Sequence, residues 1–229
     1  MSENLSHDEE LEKFKNWWRE SGQQLLLMIA LVAGGYFGWQ FWEEKQQQKA
    51  ESGYRVYQEL LDTVTAAGEN PGSEQQDMVT HLAVTLKNDY SGSQYAYYAS
   101  LFLAAQAVDK GDLEMAASEL QTVMNEADEG LSAIARLRLS RVEADRQGAD
   151  AALTLLQAVE PIAAFASSYA EAKGDYYLMK GDRQAAHDAY LNSLALLDES
   201  DQQRQGIITI KLNQVAENQP VQAEAGEQG

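Results

Sequence analysis

The chain has 229 residues, no cysteine, three prolines and a net charge of −19, from 36 acidic against 17 basic side chains. A chain this acidic, with no basic stripe, is repelled by phosphate backbones and anionic head groups, which argues against DNA or RNA as a partner. Without cysteine it has no disulfide framework and no thiol nucleophile, whichever side of a membrane it occupies.

The opening residues MSENLSHDEE are acidic. In LEKFKNWWRE, Leu11, Phe14, Trp17 and Trp18 recur at helical spacing, so this stretch either lies along a membrane surface before the chain turns inward or forms a short solvated helix. Residues 1–22 are thus expected to be a short acidic tail with an amphipathic segment. The run LLLMIALVAGGYFGWQFW follows, from Leu25 to Trp42, with no charge over roughly 27 Å of helix rise. It exceeds a signal-peptide core of about 7–15 residues and lacks a basic start and a small-residue cleavage site. A permanent transmembrane helix over residues 23–42 is predicted, with Trp39, Phe41 and Trp42 at one interface and Trp17 and Trp18 before the other. Inside it Ala30, Gly34 and Gly38 share one face four residues apart, a spacing that admits close packing of a second helix in the bilayer. Three basic residues precede the run (Lys13, Lys15, Arg19) and three follow (Lys45, Lys49, Arg55), so charge leaves the orientation open.

Three of the 17 bases and six of the 36 acids precede residue 43, which leaves 14 against 30 and a net charge of −16 on the remainder. Residues 43–215 read as one helical domain, large enough to bury a core. Residues 43–66 continue as a helix with Tyr54, Tyr57, Leu60, Leu61 and Val64 on one side. AAGENPGSE (66–74) breaks it, and QQDMVTHLAVTLKND forms a second helix. Then a repeat appears. QAVDKGDLEMAASEL and YYLMKGDRQAAHDAY align Gly111 with Gly181, Asp112 with Asp182, Ala116 with Ala186 and Leu120 with Tyr190. A weaker copy, EADRQGADAALTLL, contributes Gly148, Ala152 and Leu156, with its glycine one place out of register. A period near 34 residues, helix, Gly-Asp turn, helix, is the signature of tetratricopeptide repeats. The small residues Ala104, Ala116, Gly174 and Ala186 are placed where paired helices cross, and the segment from about 55 to 90 reads as a divergent fourth unit. The fold class is therefore all-α: one N-terminal transmembrane helix followed by a tetratricopeptide-repeat-like solenoid. Residues 216–229 are expected to be a disordered acidic tail.

A solenoid of this kind offers a concave face built from the first helix of each pair. On this phase the candidate partner groove comprises Tyr98, Leu101, Ala105, Ile134, Leu137, Arg141, Glu171, Asp175 and Leu178. No catalytic pattern accompanies it. His7, His81 and His187 are far apart without a second ligand at metal spacing, and there is no GxSxG and no phosphate-cradling glycine loop. No catalytic residue, cofactor or metal is expected, and a non-enzymatic protein is indicated.

WWRESGQQLLLMIALVAGGYFGWQFWEEKQ, LAAQAVDKGDLEMAASEL, RLRLSRVEADRQGADAAL, KGDYYLMKGDRQAA and the closing IITIKLNQ together resemble the YfgM-type ancillary subunits of the bacterial SecYEG translocon, from about residue 10 to residue 215. The resemblance implies a single-pass inner-membrane protein with a cytoplasmic N-terminus and a periplasmic repeat domain. It also implies Sec translocon subunits, a membrane-anchored periplasmic prolyl-isomerase-like chaperone and newly exported client proteins as partners, and a link to stress response. A cell-envelope assembly scaffold, or a regulator that sequesters a stress-response factor, are the rival classes.

Overall fold

The computed structural model describes residues 3–68, 72–198 and 200–217; the side chains of several residues before Ala30, among them Leu25, Leu26 and Ile29, are outside the description. The expected acidic tail lies, beyond residue 217, outside the described residues. All regular structure among the described residues is helical. The chain divides into two compact units after Ser52.

The first unit is the greater part of a single helix, α1 (Glu3–Ala67). No turn separates the amphipathic stretch from the apolar run, and both lie within α1. Proline is absent before residue 71, and the one glycine between the two stretches, Gly22, costs only about 1 kcal/mol of helix propensity. The Trp18 ring lies beside it, 3.1 Å from where a Cβ on Gly22 would stand. Among the described residues no helix is long and apolar enough to cross a membrane, so the transmembrane helix expected over 23–42 is not supported by the fold. Three residues that open the apolar run, Leu25, Leu26 and Ile29, belong to the undescribed side chains. The described ones stand open: Leu31, Val32, Tyr36, Phe37 and Trp39 are 65–74% exposed. Around Gly34 and Gly38 nothing lies within 4 Å of a built Cβ, and Ala30 is likewise exposed. All four tryptophans of the chain, Trp17, Trp18, Trp39 and Trp42, are in this segment of α1.

The second unit contains the end of α1 and α2 (Ser73–Asp89), α3 (Gln94–Asp109), α4 (Leu113–Glu126), α5 (Glu129–Gln147), α6 (Ala149–Gln157), α7 (Ala163–Met179), α8 (Arg183–Ala195) and α9 (Gln202–Glu217). The pairs α3/α4, α5/α6 and α7/α8 are the three sequence repeats. In the outer two the joint is a Gly-Asp turn. Gly111 and Gly181 take φ of +75° and +79°, the left-handed conformation a helix C-terminus favours and a side chain resists. The next amide donates back across the turn, Asp112 to the Ala107 carbonyl at 2.8 Å and Asp182 to that of Tyr177 at 2.9 Å. The same aspartates cap the following helices, accepting from the Met115 and Ala185 amides at 3.0 Å. The middle pair is built differently. Gly148 alone ends α5 and begins α6, at φ +95°. Its out-of-register position is thus a one-residue joint in place of a three-residue one. α6 has only nine residues, and Pro161 follows shortly, where it cannot continue a helix.

Packing repeats with the sequence. Ala116, Ala152 and Ala186 occupy the fourth position of α4, α6 and α8, and each is 0% exposed. Leu120, Leu156 and Tyr190, four residues on, are at most 2% exposed. Neighbouring first helices are tied by buried hydroxyls 36 residues apart: Tyr169 donates to the Ala133 carbonyl at 3.0 Å, and Ser140 meets the Tyr176 hydroxyl at 2.8 Å. Across α7 and α8, Ser167 and Ser193 each donate to the other's carbonyl, at 2.9 and 2.8 Å. The end of α1 and α2 make the fourth unit, joined to α3 through Leu60, Leu82, Ala83, Leu86, Ala99 and Leu103. Tyr57 stacks on Tyr95 and Tyr98 there, with ring centroids at 5.3 and 5.5 Å.

Gly174 gives the sharpest local test. A Cβ on it would stand 2.4 Å from Tyr190 Cε1, in a ring held on every side. Gly174→Ala should lower unfolding stability by about 1–3 kcal/mol through overpacking, read as a reduced urea midpoint at unchanged slope. Gly206→Ala on α9, with nothing within 4 Å of its Cβ, should instead raise stability by about 0.5–1 kcal/mol, the ordinary helix gain.

Candidate interaction surface

The nine candidate groove residues do not form one group. Leu101, Ala105 and Arg141 come together, with Val108, Arg138 and Asp145, around a pocket of about 360 Å³ between α3 and α5. Tyr98 and Ile134 pack against the same core as Leu101, while Leu137 packs against the next core, formed by α5, α6 and α7. Arg138 and Arg141 are exposed, and neither makes an ion pair with a described residue. Leu178 is 37% exposed.

Glu171 and Asp175 are engaged from within the chain. Lys211 on α9 reaches Glu171 Oε1 and Asp175 Oδ1, each at 2.8 Å. Arg204 adds a 3.2 Å bond to Glu171 Oε2, and the Tyr190 hydroxyl donates to Asp175 at 2.8 Å. Beneath these bonds Ile208 and Val215 sit fully buried against Tyr190 and Ala186. α9 is therefore latched onto α7 and α8 by Lys211 and Arg204 over an apolar floor, and the carboxylates predicted to face a partner hold this helix. Burial raises the Glu171 carboxyl, but the Lys211 and Arg204 bonds and charges outweigh it, and the pKa falls below the ordinary 4.5. Burial likewise lowers the Lys211 ammonium, and the bonds to Asp175 and Glu171 carry it above 10.5. Burial, then the bond to the Asp175 carboxylate, raises the Tyr190 phenol.

A second pocket, of about 310 Å³, lies on the other side of α3, between it, α2 and the end of α1. Its floor is Val64, Val79, Ala83, Phe102 and Leu103, and Lys110 stands at its rim with Gln76. A hydrogen bond of 2.9 Å from Thr80 to Gln106 crosses it. Of the residues lining it, Ala105 alone was in the sequence-derived set. The signal available was the divergence of the 55–90 segment from the repeat. Among the described residues no three His, Cys, Asp or Glu side chains converge as a metal site.

Paired helices whose equivalent alanines recur after 36 and then 34 residues (Ala116, Ala152, Ala186), joined by one- to three-residue turns, define a tetratricopeptide-like helical module. The profile of the tetratricopeptide repeat-like domain family matches residues 15–217. The chain is 34% identical over 188 residues to the ancillary SecYEG translocon subunit of Escherichia coli (strain K12), covering 81% of this chain and 85% of that protein. It is 28% identical over 191 residues to the protein of the same name from Haemophilus influenzae, covering 83% and 89%. With that from Neisseria gonorrhoeae it shares 27% over 215 residues, covering 93% and 99%. The chain belongs to this tetratricopeptide-like family of ancillary SecYEG translocon subunits. No solved structure matches it to a significant degree.

The latch sets a pH window. Glu171, depressed in the fold, contributes stability that is complete above pH 4.5 and lost as pH falls through its folded value. Lys211, raised in the fold, contributes stability complete below pH 10.5 and lost as pH rises through its folded value. Lys211→Met should cost about 1–2 kcal/mol at neutral pH, discounted for partial exposure. In urea unfolding the gap between wild type and variant should narrow below pH 4.5 and again above pH 10.5. A gap constant across that range would remove the latch from the stability of the fold.

Proposed function

We propose that this protein is a non-enzymatic accessory of the Sec translocon, held at the bacterial inner membrane by its N-terminal helix. The repeat domain stands in the periplasm and the N-terminus in the cytoplasm. The observation that carries the reading is the 34% identity over 81% of the chain to a relative named for SecYEG. The uncharged run from Leu25 to Trp42 is the anchor in this reading, and the open apolar side chains of α1 are what a bilayer would cover. Ala30, Gly34 and Gly38 then present a small-residue face to a helix of the translocon. Anchoring confines the solenoid near the channel exit and raises its effective concentration there without tight binding. In this position it assists newly exported chains together with a membrane-anchored periplasmic prolyl-isomerase-like chaperone. The groove residues Tyr98, Leu101, Ala105, Ile134, Leu137, Arg141 and Leu178 are the candidate contacts, with Glu171 and Asp175 shaping its far end through α9.

Purification of the full chain from membranes in mild detergent, with mass spectrometry of what accompanies it, tests this. Translocon subunits and a periplasmic chaperone are expected with the full chain, and translocon subunits should be lost from a version lacking residues 1–42. Recovery of peptidoglycan enzymes or outer-membrane assembly factors with no translocon subunit would overturn it. So would a reporter fused after residue 215 that is active only in the cytoplasm.

A further inference from the structure

Two of the three solenoid joints are laced by the same ion pair, and the third is not. A cation at the end of a first helix reaches the acid at the second position of the preceding second helix. Arg146, in the last turn of α5, binds Glu114 of α4 at 3.1 Å, and Lys180, which caps α7, binds Asp150 of α6 at 2.5 Å. The equivalent residues one repeat earlier are Lys110, which caps α3, and Glu74, the second residue of α2. Both are present, and neither makes an ion pair with any described residue. The 310 Å³ pocket lies at this unlaced joint, with Lys110 at its rim and an apolar floor.

We propose that this joint is a docking site for a segment of a partner protein that places a bulky apolar side chain in the pocket and a neighbouring carboxylate on Lys110. The volume, about 300 Å³, is at the lower limit for a ligand site and suits one or two side chains better than a folded surface. Val64, Val79, Phe102 and Leu103 supply the apolar contact. Charge selects the flank. A cation left without its repeat partner beside an apolar pocket favours an acidic residue over a basic one at that point. Asp109, on the same rim, repels a second carboxylate, so one acid adjacent to the anchor is favoured over an acidic run. The inference rests on the reading of the domain as a protein-binding module and does not require the translocon to be the partner.

The test uses the full chain in detergent with fluorescein-labelled peptides that differ at one position: Gly-Phe-Leu-Asp-Gly, the same with Asn, and the same with Lys. Polarisation titrations should give the order Asp, Asn, Lys in affinity, with about threefold between Asp and Asn for a partly exposed ion pair. Lys110→Gln should abolish the Asp-over-Asn difference and leave the Asn peptide unchanged. Ala67→Trp, which fills the pocket from α1, should weaken all three peptides together. Equal affinities of the three peptides for the wild type, an Asp preference that survives Lys110→Gln, or no saturation at millimolar concentration would each overturn the proposal. Lys110 is exposed, so its variant keeps the test decisive even if Ala67→Trp fails to fold, which a thermal melt reports. Translocon co-purification with Lys110→Gln separates the two readings: a normal result beside a failed titration removes the pocket alone.

Discussion

The structure depends on how closely the two helices of a hairpin approach. Ala116, Ala152 and Ala186 stand at the same helical position and have no exposed surface, which allows the backbones to meet without a large side chain between them. Leu120, Leu156 and Tyr190 then fill the layer one turn on. A hairpin alone leaves its apolar stripe uncovered, so the gain is realised only when the next hairpin stacks on it. The buried hydroxyl ties, Tyr169 to Ala133 and Ser140 to Tyr176, run between successive first helices. They fix the register in which that stacking occurs, because a slipped register would leave buried donors without acceptors.

Much of this was legible because the turn chemistry and the crossing residues are local. Gly-Asp at two joints specifies both a left-handed residue and an N-cap, and an alanine four residues on specifies close approach. The middle joint was harder, since Gly148 performs two functions at one residue and shifts every alignment by one place. What sequence could not reveal is which surface charges are already engaged. Glu171 and Asp175 fall on the predicted face, but their partner, Lys211, is 36 to 40 residues away in a helix outside the repeat period. In the same way Lys110 and Glu74 look like one more rung of the ladder, and only three dimensions show that the rung is not made.

The apolar run presents the opposite case. Sequence reads it as a membrane span, whereas the fold records only a continuous helix, α1, with its described apolar side chains uncovered. A length rule states what would be stable in hydrocarbon, and the fold shows that the chain itself covers little of the run's described apolar surface.

The placement of the aromatic residues makes the two parts of the molecule optically independent. Every tryptophan lies within residues 17–42, while ten of the eleven tyrosines lie beyond residue 52. Indole emission therefore originates only in the N-terminal helix and follows the polarity around it. Phenol absorption and the phenol part of the near-ultraviolet dichroism originate almost wholly in the solenoid, where Tyr57, Tyr95 and Tyr98 stack. One unlabelled sample thus carries two native chromophore sets, one for each unit.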